Sequence, residues 1–288
     1  MRPLDPKYSD PLRQMETYWW MVEQTSRLAI QTGVARMNAS VRHADIARCL
    51  DNFVFHLVQV SNLFLEPTLL VDIALRAGND MAKGDPVVLS LRPKRSGRAA
   101  LAAADFVERI ISENPRNASL ASLARDRRLM AITLLWTGFE ATLKDAWHAA
   151  VSKQPAKAYA AAVSMRPKRH ARKPLRTGAT SADIADWGNF RFSAARSLFE
   201  SYSMLLGPAA PVLNSLEGWL GAYLTEKVRH VVVHNGGRVD QDFIDDAGGG
   251  FGLAVGAPID VPNETLYAMM QNVCDLGLKA CLEIDAWI

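Results

Sequence analysis

The sequence predicts an all-α fold, and two observations support this prediction. Apolar residues recur three or four positions apart over most of the chain, whereas stretches that alternate between apolar and polar residues are few. The composition is that of an ordinary globular protein, because 49% of the 288 residues are hydrophobic and can bury one large core or two smaller ones. No repeating period indicates a solenoid.

The first part of the chain is predicted to form two amphipathic helices, over 12–32 and 41–65. Pro67 follows and allows only a short third turn after it. Residues 78–97 are rich in Gly, Asp, Pro and basic side chains, so they predict a loop or one short strand and mark the best internal boundary. An alanine-rich helix is expected over 99–112.

The central part of the chain is predicted to contain the longest helix, over 119–151, because apolar and aromatic residues keep helical spacing throughout it. Residues 155–180 predict a second loop. Ser181 or Asp183 is then in position to cap a further helix, which runs through several aromatic residues to about Tyr202.

The last part of the chain is predicted to contain two more helices. Apolar residues keep three-to-four spacing over 213–231, and Asn263, directly after Pro262, is in position to cap a terminal helix. A short β-hairpin near 250–262 is a further expectation for the segment between these helices.

The positive charge of the chain is concentrated in two short runs. Although the net charge is only +3, residues 92–98 hold four cations and residues 166–176 hold six, and neither run contains an acidic residue. Such runs are most often solvated loops, but clustered Lys and Arg are also the electrostatic signature of nucleic-acid binding. The candidates for contact with nucleic-acid phosphates are Arg166, Lys168, Arg169, Arg172, Lys173 and Arg176.

Neither export nor membrane insertion is predicted. The first ten residues contain charges and two prolines where a signal peptide needs an apolar run, and the longest apolar stretch is interrupted by Thr133. Of the three cysteines, Cys274 and Cys281 are too far apart along a helix to form a bridge, and Cys49 has no obvious partner. We therefore expect a protein of the reducing cytoplasm that does not contact a membrane.

The densest group of chemically versatile side chains lies at residues 229–237, with the sequence RHVVVHNGG. Arginine is a permanent cation suited to binding phosphate, and histidine both takes and gives a proton near neutral pH. Together they indicate phosphodiester chemistry. The local structure has two interpretations, because Asn235-Gly236 also fits the type I′ turn of a hairpin over 230–243, whereas the apolar pattern that enters from Leu213 favours a helix ending before Gly236.

A helical conformation places the two ends of this motif on different faces. Arg229 and His234 are five positions apart and project about 140° from each other, whereas His230 and His234 are four positions apart and share a face. Arg229 and His234 converge only if the helix loosens at Gly236, or if two copies of the segment meet across a two-fold axis.

The motif resembles one that defines a known family. Arg229, the polar His230, three valines and His234, followed by Asn-Gly-Gly, resemble the Arg-x4–6-His motif of HEPN-domain proteins, especially prokaryotic ones in which it continues as VHNGG. An upstream segment at 136–143, WTGFEATL, resembles the aromatic-Glu segment of an earlier helix in that family. The final helix after residues 259–262 also fits the family's layout.

The resemblance divides the chain into two parts, because it covers only about 119–288. We therefore expect an N-terminal helical region of unknown role at 1–115 and a HEPN-like helical domain at 116–288. HEPN domains are small helical bundles that commonly dimerise through the motif helices, and many are metal-independent endoribonucleases.

The resemblance implies a specific setting for the chain. It implies RNA as substrate, a homodimer through the motif helix, and no cofactor or metal. It also implies a toxin or phage-defence role in which a neutralising or regulatory protein is a further partner. Gly236 stands where some HEPN toxins carry a tyrosine that a partner nucleotidyltransferase modifies, and this difference argues against that mode of control.

The resemblance also implies roles for individual residues. Arg229 would bind the scissile phosphate and stabilise the charge that develops on it, and His234 would act as general base or acid. His230 takes the polar position beside the arginine, Asn235 would orient the histidine or the substrate, and Glu140 is a weaker supporting candidate.

Each of these residues also has a purely structural interpretation. Arg229 is in position for an ion pair with Glu226, His234 for capping the helix end, and Glu140 for pairing with Lys144 at the favourable four-residue spacing. The competing function is a catalytically inactive helical module that binds RNA or a protein and uses the same bundle for dimerisation.

Metal chemistry is not favoured by the motif. His230 and His234 have the spacing of two zinc ligands, but the zinc-protease motif requires Glu where this chain has Val231, and no Cys-x-x-Cys or third ligand is evident. The acidic and glycine-rich stretch at 240–252 matches neither an EF-hand nor a Walker motif, so we expect a flexible turn there.

Overall fold

A computed structural model describes residues 11–83, 120–164, 175–207, 216–247 and 252–288 of the chain. These ranges contain nine helices and no strand, which confirms the predicted all-α fold. None of the helices in these ranges is both long and apolar enough to cross a membrane. The helices are α1 (Pro11–Asn38), α2 (Ala44–Lys83), α3 (Leu120–Lys153), α4 (Pro155–Ser164), α5 (Ser181–Gly188), α6 (Ala195–Leu206), α7 (Leu216–His234), α8 (Gln241–Ala247) and α9 (Asn263–Trp287).

The first part of the chain has fewer breaks than predicted. Helix α2 continues through Pro67 to Lys83, so the prediction of a helix over 41–65 with a short third turn after Pro67 is wrong. The prediction that α3 is the longest helix is also wrong, because α2 has 40 residues and α3 has 34. An internal proline removes one backbone hydrogen bond, but apolar residues keep helical spacing on both sides of it and favour one continuous helix. The helix expected at 99–112 and the boundary at 115 lie outside the described residues.

The central part of the chain contains more helices than predicted. Helix α4 occupies the start of the expected loop at 155–180, and the single helix expected after Ser181 is divided into α5 and α6. The N-cap of α5 is Thr180, whose hydroxyl accepts a hydrogen bond from the Asp183 N–H, while the Asp183 carboxylate accepts one from the Thr180 N–H at 2.8 Å. Asp183 therefore completes a capping box three residues after the cap, and Asn189 ends α5 in a left-handed conformation with φ of 51°.

The motif segment is helical, and the hairpin interpretation of 230–243 is wrong. Helix α7 extends to His234, and the N–H groups of Asn235 and Gly237 both donate to the Val231 carbonyl. Gly236 and Gly237 have φ of 58° and 73°, which glycine adopts without a steric penalty, so this pair ends the helix and turns the chain.

A single antiparallel bridge between Arg238 and Pro258 takes the place of the hairpin expected near 250–262, and residues 252–262 contain no strand. The Val239 N–H donates to the Ala257 carbonyl at 2.9 Å. This pairing joins the chain after α7 to the segment before α9.

The predicted cap of α9 is also wrong, because Asn263 is the first helical residue and Pro262 holds the N-cap position without a side-chain hydrogen bond.

The core is built around α3. Trp136, Phe139, Leu143 and Trp147 of this helix are fully buried, and α3 packs against α2, α7 and α9. Helices α2 and α9 approach closely beside it, because a Cβ added at Gly277 would lie 2.8 Å from the Phe53 ring. Buried residues of α1 and α2 belong to the same apolar cluster as those of α3 and α9, so the N-terminal helices share the core of the C-terminal part.

A buried carboxylate joins the last helix to the turn between the first two. Asp285 of α9 has 3% of its surface exposed, and its carboxylate accepts hydrogen bonds from the Arg42 N–H, the His43 N–H and the His43 Nδ1, at 2.9–3.0 Å. Burial alone would raise the pKa of Asp285, but these hydrogen bonds outweigh burial and hold its pKa below the ordinary value. Asp285 therefore anchors the start of α2.

Replacing Asp285 by Asn is expected to lower the free energy of unfolding at pH 7 by about 2 kcal/mol, because hydrogen bonds to a charged acceptor are lost. A carboxyl whose pKa is depressed in the folded state stabilises that state above its unfolded pKa and loses this effect as pH falls. The difference between wild type and Asp285→Asn should therefore shrink below about pH 4. Urea titrations at several pH values test this.

The control for this substitution is Asp275→Asn, in the same helix but at an exposed position. It should change the free energy of unfolding little. A destabilisation of Asp285→Asn that is equal at pH 7 and at pH 3.5, or that is matched by the control, would contradict the anchoring role.

Candidate functional site

The core buries one stripe of α7, so the other residues of the motif lie on the remaining sides of this helix. Trp219, Ala222, Val228 and Val231 are buried along this stripe. The rings of His230 and His234 lie on the exposed side of the same helix, with their centroids 4.6 Å apart and their planes inclined by 40°. The prediction that the two histidines share a face is confirmed.

Arg229 lies on a different side, next to α3. Its side chain is half-buried, and its Nε has no hydrogen-bond partner within the described part of the chain. Burial raises the pKa of the Glu140 carboxyl on α3, while the positive charge of Arg229, followed by the Trp136 indole, opposes this rise. Arg229 and Glu140 are therefore close enough to interact electrostatically across the α3–α7 contact.

The structural interpretation of Arg229 as a partner of Glu226 does not hold in the described residues. The Glu226 Oε2 instead accepts a hydrogen bond from the Ala195 N–H at 3.0 Å, at the first residue of α6. The negative charge there complements the positive end of the α6 dipole. Lys144, the expected partner of Glu140, lowers the pKa of that carboxyl less than Arg229 does.

Asn235 contacts Asp240, the first residue of the acidic stretch at 240–252, and the sequence did not predict this contact. Its Nδ2 donates a hydrogen bond to Oδ2 of Asp240, whose Oδ1 accepts from the Phe243 N–H at 2.8 Å and so caps α8. The Phe243 N–H, then the Asn235 amide and the nearby His230 ring, hold the pKa of Asp240 below its ordinary value despite some desolvation. The predicted flexible turn at 240–252 is wrong for residues 241–247, which form α8.

A groove of about 770 Å³ runs between the first half of α3 and the end of α7. Met130 and Val233 face it and are 49% and 47% exposed. Arg238 stands at its edge, where its Nη1 donates to the Gly256 carbonyl at 3.0 Å. The lining residues are Arg125, Asp126, Leu129, Met130, Thr133, Leu134, Val232, Val233, Gly236, Gly237, Arg238 and Pro258.

The candidate residues thus form two groups in the structure. His230, His234 and Asn235 lie together at the exposed end of α7, and Arg229 and Glu140 lie together against α3. No hydrogen bond or ring contact joins Arg229 to His234 in the described residues, as expected from their angular separation.

Of the basic run at 166–176, only the last cation lies within the described residues. Arg176 is exposed, whereas Arg166, Lys168, Arg169, Arg172 and Lys173 lie outside the described residues. Within the described ranges, no group of three His, Cys, Asp or Glu side chains is placed to hold a metal ion.

Comparison of the chain with protein-family models, curated proteins and solved structures finds no match. The resemblance to HEPN proteins therefore depends on the motif residues themselves.

The electrostatic link between Arg229 and Glu140 gives a direct test of this geometry. Arg229→Gln removes the positive charge that opposes the effect of burial, so we expect the pKa of the Glu140 carboxyl to rise further. Titration of the Glu140 side-chain carbonyl shift by ¹³C NMR measures this change. Lys144→Gln is the matched control and should raise the pKa less; an equal or larger rise in the control would contradict the arrangement.

Proposed function

We propose that this protein is a metal-independent endoribonuclease of HEPN type, which acts in the cytoplasm as part of a toxin or phage-defence system. The observation that carries the proposal is the pair of exposed imidazoles, His230 and His234, whose ring centroids are 4.6 Å apart. A histidine buried in a packed core would have favoured an inactive module, and neither of these two is buried.

The proposed reaction is an in-line displacement at a phosphodiester. His234 takes the proton of the 2′-hydroxyl, the 2′-oxygen forms a bond to phosphorus, and the bond from phosphorus to the 5′-oxygen breaks. Protonated His230 gives its proton to the leaving 5′-oxygen, so the products are a 2′,3′-cyclic phosphate and a 5′-hydroxyl. Two proton-transfer groups are needed because the attacking and leaving oxygens lie on opposite sides of one phosphorus atom.

Arg229 would stabilise the negative charge that develops on the phosphate oxygens. Its fixed fork of donors suits this role. Because Arg229 and His234 point in different directions within one chain, the proposal includes a homodimer through α7, in which Arg229 of one protomer faces the histidines of its partner. A regulatory or neutralising protein would then act by blocking this composite cleft.

One observation favours the second candidate function, an inactive helical module that binds RNA or protein. Arg229 lies beside the Glu140 carboxyl, which is also how a purely structural arginine would be placed. The two functions differ in whether Arg229 and His234 are needed for RNA cleavage, so substitution of these residues distinguishes them.

Incubation with RNA in the presence of EDTA is the test of the proposed activity. Wild type should cleave, and His234→Ala and Arg229→Ala should each lose roughly 10²–10⁴-fold in rate, the range expected for loss of a proton-transfer or charge-stabilising group. Arg196→Ala, at a side chain that is 82% exposed on α6, is the matched control and should cleave normally. Cleavage that survives in both motif variants, or that disappears with the chelator, would rule out the proposal.

Mixing the two inactive variants tests the composite cleft separately. A heterodimer of Arg229→Ala and His234→Ala keeps one intact site if each site combines residues of both protomers. Because half of the randomly mixed dimers are heterodimers, activity should return to about a quarter of the wild-type level. If Arg229 and His234 of the same protomer form the site, the mixture stays inactive.

A further inference from the structure

The groove between α3 and α7 lies beside the motif, yet the proposed proton transfers use none of its side chains. Its volume of about 770 Å³ falls within the range of small-molecule binding sites, roughly 300–1,000 Å³. Val233 lines it and directly precedes His234, and Gly236 and Gly237 form part of its wall without side chains. Nothing lies within 4 Å of where their Cβ atoms would be, so this wall leaves the groove open.

The groove combines an apolar floor with cations at its edge. Met130 and Val233 are about half exposed, and both face the same space as Leu134. Arg238 is held in place by the Gly256 carbonyl and forms no ion pair with any acidic residue in the described ranges. Apolar side chains pack against the face of a nucleobase, and a positioned guanidinium donates hydrogen bonds to a phosphate.

The second arginine of the groove, Arg125, forms an ion pair that is exposed to solvent. Arg125 pairs with Asp126 at 3.1 Å, but the two side chains are 35% and 55% exposed. Ion pairs of this kind stabilise proteins little and are screened by salt, so the guanidinium can exchange its carboxylate for a phosphate.

We propose that this groove binds one nucleotide of single-stranded RNA, at the end of α7 that carries the motif. The base lies against Met130 and Val233, and the phosphate of the bound nucleotide contacts Arg238. This inference rests on the proposed ribonuclease function and deepens it, because it assigns the residues that position the strand for cleavage.

A second copy of the chain is the competing occupant of the groove. Two copies that met here across a two-fold axis would bring the arginines of both grooves together with only Asp126 to offset them, and like charges oppose such a contact. The charge of the edge therefore favours a polyanion over a second copy.

Binding of a fluorescent 2′-O-methyl oligoribonucleotide to the full chain is the test, because its blocked 2′-oxygen prevents cleavage. Met130→Glu places a negative charge on the floor and should weaken binding by about ten-fold, because the charge repels the phosphates of the strand and makes the floor polar. Met37→Glu, the same change at a 76% exposed methionine of α1 outside the groove, should leave the affinity unchanged.

A second substitution tests the proposed contact between Arg238 and the phosphate. Arg238→Gln keeps a donor for the Gly256 carbonyl but removes the charge. The negative slope of log affinity against log salt concentration should therefore become shallower by about one unit, which corresponds to one phosphate contact. Arg196→Gln on α6 is the control and should leave the slope unchanged.

The outcomes separate the groove from the ribonuclease proposal. If wild type cleaves unmodified RNA but Met130→Glu binds the oligonucleotide as tightly as wild type does, the groove assignment is overturned and the ribonuclease stands. If light scattering shows that Met130→Glu changes a dimer into a monomer with unchanged RNA affinity, a second copy occupies the groove. A wild-type protein that neither binds nor cleaves RNA overturns both proposals.

Photocrosslinking of wild type covers the case in which Met130→Glu does not fold, as judged by circular dichroism. An oligonucleotide containing 4-thiouridine should crosslink to peptides that contain residues 125–134 or 232–238, which line the groove. Crosslinks confined to other peptides would overturn the assignment.

Discussion

The burial of α3 by several neighbouring helices is the constraint on which the rest of the structure depends. Helix α3 buries side chains over more than half of its circumference and leaves one stripe, which includes Thr137 and Lys144, exposed to solvent. Other elements must cover its buried part. Phe139 contacts the rings of Phe53 on α2 and Trp219 on α7, with centroids 6.5 and 6.2 Å away, and Trp147 contacts Phe192 at 5.2 Å. These rings set how each neighbouring helix lies against α3.

The orientation of α7 follows from this packing and determines the two groups of candidate residues. Because Trp219, Val228 and Val231 face the core, Arg229 is directed to the α3 contact and the two histidines to the outside. The contact with α3 also explains the charge state of the inner group. Burial raises the pKa of Glu140, and the adjacent guanidinium opposes that rise, so each charge lowers the desolvation penalty of the other.

Local patterns in the sequence predict the parts of this protein that depend on local interactions. Helical spacing predicts the helices themselves and the shared face of His230 and His234, because both depend only on residues one or two turns apart. The contacts that sequence reasoning missed are mostly between distant residues: Asp285 and His43 are separated by 242 positions, and nothing in the spacing of either indicates the other. The hydrogen bond between Asn235 and Asp240 and the capping of α8 by Asp240 were missed for a different reason, since a short cap before a seven-residue helix gives too weak a pattern.

The same packing argues that one protomer cannot complete the proposed cleft by rearranging itself. Within one chain, Arg229 and His234 could meet only if α7 unwound between them, and unwinding would disturb the buried Val231, whose side chain contributes about 1.5–3 kcal/mol of burial free energy. Moving Arg229 would also remove the positive charge that opposes the effect of burial on the Glu140 carboxyl. In the proposed dimer, the arginine of a second protomer would reach the histidines without either loss, and this is why the proposal includes two copies of the chain.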